Sequence, residues 1–180
     1  MTARSDPEQE QGNAFWRFAT TIYAEKQVCD ACLRLQDRSG HYVNLLLGAL
    51  WLTAQSRRIS QDAGVRLRTK CERFQSDITM PLRQVRRDFW VSAKAYVADP
   101  QNDDLSIKVR DGLKAAELAT ERFEILMLGP MLAEASEPVP KTDLLAWSNF
   151  EVLTPWSQSD PDDLKILIAA QSTADVTGLS

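Results

Sequence analysis

The segment 43–54, with the sequence VNLLLGALWLTA, constrains the fold more than any other part of the chain. It is too short to cross a membrane, because a spanning helix needs about 20 apolar residues. Leu and Ala outnumber β-branched residues in it, which favours a helix over a strand. A helix that is apolar on nearly all sides is typical of the centre of a bundle. We therefore expect Trp51 to be buried at the centre of the molecule.

Apolar residues recur at helical spacing on both sides of this segment, which predicts an all-α, compact, single-domain bundle of about six or seven helices around the central apolar helix. Residues 1–12 are predicted to be a disordered N-terminal tail, 13–171 the helical domain, and 172–180 a frayed C-terminal tail. Capping, Gly and Pro signals predict the helix boundaries. Seven helices are predicted, over 13–23, 26–38, 42–57, 60–79, 81–97, 105–129 and from Asp160-Pro161 onwards, and a further short helix over 143–152 stays open.

Composition narrows the class of protein. The chain has 180 residues, three cysteines and one histidine, His41, and its first thirteen residues contain no apolar core. These features predict a cytoplasmic protein with reduced thiols and no disulfide framework. A single histidine excludes a catalytic site or metal site that needs two histidines. We therefore predict no metal and no cofactor.

Charge is unevenly distributed along the chain. The net charge is −4, but the segment 57–94 has ten basic and four acidic residues and so carries +6, which leaves −10 for the rest. On the predicted fifth helix, Arg83, Arg86, Arg87 and Lys94 share one broad face. This face is the predicted binding site for an acidic protein surface or an anionic ligand. Nucleic acid stays open as a partner, although no nucleic-acid-binding motif accompanies the basic residues. The alternative is a solvated face partly paired with the protein's own acids.

Three glutamates, Glu117, Glu121 and Glu124, follow one another at helical spacing. Three aligned carboxylates could bind Mg²⁺, but we interpret the row as a solvated acidic face. Asp99, Asp103 and Asp104 lie in a predicted loop and do not complete a helical metal motif.

A second polar group flanks the turn between the second and third predicted helices. It comprises Gln36 and Asn44, with Tyr23 next to them, and Asn44 needs hydrogen-bond partners if it is buried in its apolar helix. The group would fix the helix register or line a small-molecule site. The leading hypothesis is thus a non-catalytic interaction protein with a basic face, and the alternative is a small-molecule-binding protein or enzyme with its site near this turn.

The pattern Cys32-Leu-x-Leu-Gln36, Gly40-x-x-Val-Asn-Leu-Leu-Leu47 and Trp51, together with Phe15-Trp16 and Pro81-Leu82-Arg83, resembles an uncharacterised proteobacterial family of small helical proteins with a domain of unknown function. The resemblance covers roughly Phe15 to Phe123. It implies a helical bacterial protein in the cytoplasm and no particular activity.

Overall fold

The computed structural model describes residues 6–155 and 160–174, and within them the chain is all-α, as predicted. Two short strands accompany the helices. The eight α-helices of the described residues are α1 (Pro7–Tyr23), α2 (Lys26–Ser39), α3 (Val43–Ala54), α4 (Gln61–Phe74), α5 (Met80–Ala93), α6 (Asp104–Glu134), α7 (Leu145–Leu153) and α8 (Pro161–Ala174); the strands are β1 (Arg57–Ile59) and β2 (Ser136–Pro138).

The chain divides into two compact units, where the sequence predicted one domain over 13–171. The first unit is Met1–Thr69 with Ile125–Ser180, and the second is Lys70–Glu124. Both boundaries fall inside helices, in α4 and in α6. The sequence therefore contains no linker that could mark them.

Helix α3 forms the core of the first unit, which confirms the predicted central helix. Its residues from Asn44 to Thr53 are all buried. Helices α1, α2, α7 and α8 contact it. Trp51 is 4% exposed and packs against Phe15, with 5.1 Å between the ring centroids. None of the helices in the described residues is long and apolar enough to span a membrane.

Helix α1 begins at Pro7 and not at the predicted cap Asn13, so the prediction of a disordered tail is wrong for residues 7–12. The Asp6 carboxylate accepts a hydrogen bond from the Glu8 amide and caps the helix. Gly12 explains why this part of the chain is ordered: a Cβ there would collide with the Leu126 carbonyl of α6. Glycine thus permits α1 and the end of α6 to approach closely.

Helix α6 runs to Glu134 and contains Pro130, whereas the sequence predicted that it ends at Gly129-Pro130. Proline has no N–H to donate to the carbonyl four residues earlier, which is that of Leu126. This carbonyl faces Gly12. Helix α1 therefore packs closely on the part of α6 that lacks this backbone hydrogen bond.

The chain after α3 forms an extended segment, although the sequence predicted helix as far as Arg57. Strand β1 pairs antiparallel with β2, with Ile59 opposite Ser136. The Asn149 side chain of α7 is fully buried, donates to the Arg57 carbonyl and accepts from the Ile59 amide. The partners lie about 80 to 90 residues along the chain, so local helical periodicity could not reveal the strand.

In the second unit, five π-helical residues, Gln75–Thr79, join α4 to α5, where the sequence predicted a break at Met80-Pro81. The Met80 amide donates to the Gln75 carbonyl, five residues earlier. An α-helix would place the Pro81 ring against the Asp77 carbonyl, and the wider turn accommodates this ring without ending the helix.

At the C-terminus, α8 begins after Asp160 as predicted and continues to Ala174, so residues 172–174 are helical where fraying was predicted. Residues 1–5 and 175–180 of the two predicted tails lie outside the described residues.

Candidate interaction surface

Helix α5 and the part of α6 up to Glu124 run antiparallel in the second unit, and we call this pair the α5–α6 hairpin. Three contacts define its register: Arg83 pairs with Glu121, Arg86 with Glu117, and Trp90 with Arg110. The partner's number falls as the α5 number rises, as antiparallel packing requires. Charged side chains therefore form much of the contact between the two helices.

Arg83 and Arg86 do not belong to an exposed basic stripe. The Arg83 Nε donates to Glu117 at 3.0 Å, a second Arg83 nitrogen donates to Glu121, and the Arg86 Nε donates to Glu117 at 2.5 Å. The Arg83 side chain is only 17% exposed and that of Glu117 11%. Two of the four predicted binding residues are thus neutralised within the hairpin, which corrects the expectation that all four are exposed.

The glutamate row is the other half of this network, and its interpretation as a solvated acidic face is wrong. Burial alone would raise the pKa of Glu117, but hydrogen bonds from Arg86 and Arg83 and their positive charges outweigh burial and hold the pKa below its ordinary value. Glu124 is buried, and its carboxylate accepts a hydrogen bond from the Gln75 side-chain Nε2 at 2.6 Å. Across the residues that the structure describes, no three side chains of the metal-ligating kind form a cluster suited to a metal ion.

Cys71 and the fully buried Thr79 lie in the same helical run as Gln75. Burial, with smaller contributions from Glu124, raises the pKa of the Cys71 thiol well above its ordinary value. This thiol therefore stays protonated at neutral pH and is a poor nucleophile. The interior of the second unit thus holds polar groups and an unreactive thiol.

Arg87 and Lys94, the other two predicted binding residues, are exposed. Among the described residues, neither side chain forms an ion pair. Helical spacing places Arg87 of α5 and Lys94, the C-cap residue of this helix, on one stripe, which we call the α5 stripe. Its members, all exposed, are Met80, Gln84, Arg87, Val91 and Lys94. Met80 is 47% and Val91 76% exposed, so the stripe combines apolar and basic side chains.

Helix α5 as a whole buries none of its fourteen residues. Its inner side is half-buried against α6, and Phe89 packs on Trp90 with 5.4 Å between the ring centroids. Helices in proteins gain most of their stability from burying an apolar face. A helix that buries no residue completely is therefore a candidate for contact with another molecule.

The outward face of α6 is also apolar. Leu105 is 70%, Val109 42% and Phe123 54% exposed. These residues continue a heptad pattern of alternating four- and three-residue steps, which we call the α6 seam. Its members are Leu105, Val109, Gly112, Ala116, Ala119 and Phe123, and all are exposed.

A family model described as "Protein of unknown function (DUF2390)" matches residues 14–128 of the chain. The chain belongs to the DUF2390 family. The match includes the whole second unit and the first five helices apart from the start of α1. No curated protein and no solved structure matches the chain significantly. The resemblance to a family with a domain of unknown function is thereby confirmed, and the family adds no activity to what the site geometry shows.

The second predicted site of this DUF2390 chain lies in the first unit. Tyr23 is the last residue of α1, Gln36 lies in the last turns of α2, and Asn44 is buried near the start of α3. A shallow cavity of about 440 Å³ opens elsewhere, at the start of α2, and is lined by Glu25, Lys26, Gln27 and Asp30.

The sequence did not reveal a partly buried ionic cluster beside the same turn. The Asp160 side chain is fully buried and accepts from the Ser39 hydroxyl at 2.6 Å, and its other oxygen lies 3.0 Å from the His41 Nε2. Arg38 bridges Asp160 and Asp163. These contacts join the end of α2 to the start of α8 across about 120 residues of sequence.

Asp163 completes this cluster. It accepts two hydrogen bonds from Arg34, at 2.9 and 2.6 Å. Arg34 and Arg38 are four residues apart on α2, and this spacing was the one sequence signal that could have indicated a shared partner. The family match ends at residue 128, before either aspartate.

The second cysteine of α2, Cys32, is an unreactive thiol. All three cysteines are free, and Cys32 is buried. Burial, with smaller contributions from Cys29 and Asp163, raises the pKa of Cys32 to about 12. A reactive thiol needs a lowered pKa, so Cys32 is a packing residue of α2.

Proposed function

We propose that the chain is a non-catalytic interaction protein that binds an acidic protein surface through the α5 stripe. The observation that carries the proposal is that α5 buries none of its fourteen residues, although it presents apolar and basic side chains. Exposed apolar residues next to unpaired cations suit a partner that offers both apolar contact and carboxylates.

The basic residues along α5 have two different roles. Arg83 and Arg86 hold α6, because their partners Glu117 and Glu121 are in the same unit. Arg87 and Lys94 are assigned to the partner. Exposed cations of this kind speed association and make it sensitive to salt.

The test compares two double variants in an affinity capture. Arg87→Gln with Lys94→Gln removes the two exposed cations of the stripe. The matched control, Arg17→Gln with Arg66→Gln, removes two exposed cations of the first unit. We expect the first variant to fold normally and lose a salt-sensitive partner that the control retains. If both variants bind the partner equally well, the α5 stripe is not the binding site.

The chemistry of the partner is tested with immobilised probes. Retention on poly-glutamate that the stripe variant abolishes supports an acidic protein surface. Retention on polyphosphate or duplex DNA alone would instead support an anionic ligand or nucleic acid, the other partners that the basic residues could bind.

We also place this protein in a bacterial cytoplasm. The support is the presence of free thiols at Cys29, Cys32 and Cys71, which suits a reducing compartment. Titration of protein isolated from cells, denatured without reductant, should find all three thiols. A titre of one would indicate a disulfide and an oxidising compartment.

A second candidate function is small-molecule binding near the turn between α2 and α3. The observation that favours it is the buried His41–Asp160 pair, since a carboxylate that holds an imidazole is a common arrangement for proton transfer. A metabolite screen by thermal shift tests it. A stabilising compound should lose its effect in His41→Gln, whereas no hit would leave the pair with a structural role only.

A further inference from the structure

We draw no further inference here: the strongest candidate, the exposed α6 seam from Leu105 to Phe123 in the second unit, carries none, because nothing in the structure shows what covers it.

Discussion

Helices α3 and α5 differ by only two residues in length, and the contrast in their burial shows how differently the two units are stabilised. Ten of the twelve residues of α3 are buried, whereas none of the fourteen residues of α5 is. The first unit excludes water from Leu, Phe and Trp side chains, which is the usual source of folding free energy. The second unit depends much more on hydrogen-bonded ion pairs between α5 and α6.

This difference assigns different tasks to the two units. Ion pairs fix geometry and contribute modest net stability, because each charge must lose its water. Apolar area that a helix leaves exposed remains available to another molecule. The first unit therefore acts as the stable framework, and the second as the surface through which we propose that the molecule makes its contacts.

The largest expected change in stability comes from a buried tryptophan of the first unit, compared with a half-buried tryptophan of the second. Trp51→Ala should lower the free energy of unfolding by about 3 to 5 kcal/mol, because the ring is buried against Phe15. Trp90→Ala, in α5, should cost only about 1 to 2 kcal/mol, since the ring is half-buried and contacts Phe89 and Arg110. Urea denaturation measures both. Equal losses would contradict the contrast between the units.

The second prediction concerns the ion pairs of the hairpin. Glu117→Gln leaves Arg83 and Arg86 without their shared carboxylate and should cost about 2 kcal/mol. Glu137→Gln is the matched control in the first unit, where Glu137 is 66% exposed and pairs with Arg58, and it should cost less than about 0.5 kcal/mol. A loss for Glu117→Gln no larger than the control would show that the hairpin does not depend on its ion pairs.

The third prediction is how the stabilising contribution of Glu117 depends on pH. The pKa of Glu117 in the folded chain lies below its ordinary value of 4.5, so the folded state binds this proton less readily than the unfolded state does. Its stabilising contribution is then complete above pH 4.5 and is lost as the pH falls through the folded pKa. Urea titrations from pH 7 to acid should show a smaller loss of stability for Glu117→Gln than for the wild type. Identical slopes would mean that Glu117 is not the group responsible.

The sequence predicted those helices and helix ends that are determined by residues close together in the chain. Helix α3 follows from its composition, the end of α2 from Gly40, which adopts a left-handed conformation with φ of 71°, and the start of α8 from Asp160-Pro161. The start of α1 has the same signal in Asp6-Pro7, but the acidic and polar residues around it concealed the pattern. Its stabilising contact, Gly12 against Leu126, is more than 100 residues away in sequence.

The candidate site shows the same limit. Helical spacing correctly grouped Arg83 with Arg86 and Glu117 with Glu121, but spacing within one helix does not reveal which helix faces it. The pairing of these residues follows from the antiparallel hairpin, which joins positions more than 30 residues apart. Arg87 and Lys94 remain exposed, and spacing along α5 alone could not separate them from the paired Arg83 and Arg86.

The smallest predicted effect tests whether the second unit gives up stability for its contacts. Gly112→Ala should raise the free energy of unfolding by about 0.5 to 1 kcal/mol. Alanine loses less backbone entropy on folding than glycine does, and the added methyl group meets nothing within 4 Å. Gly12→Ala, in the first unit, provides the opposite case, because its Cβ would collide with the Leu126 carbonyl, and this variant should be destabilised. Thermal and urea denaturation should show higher stability for Gly112→Ala and lower stability for Gly12→Ala. If Gly112→Ala were also destabilising, the second unit would need glycine at this position, and the expected contrast between the two glycines would be lost.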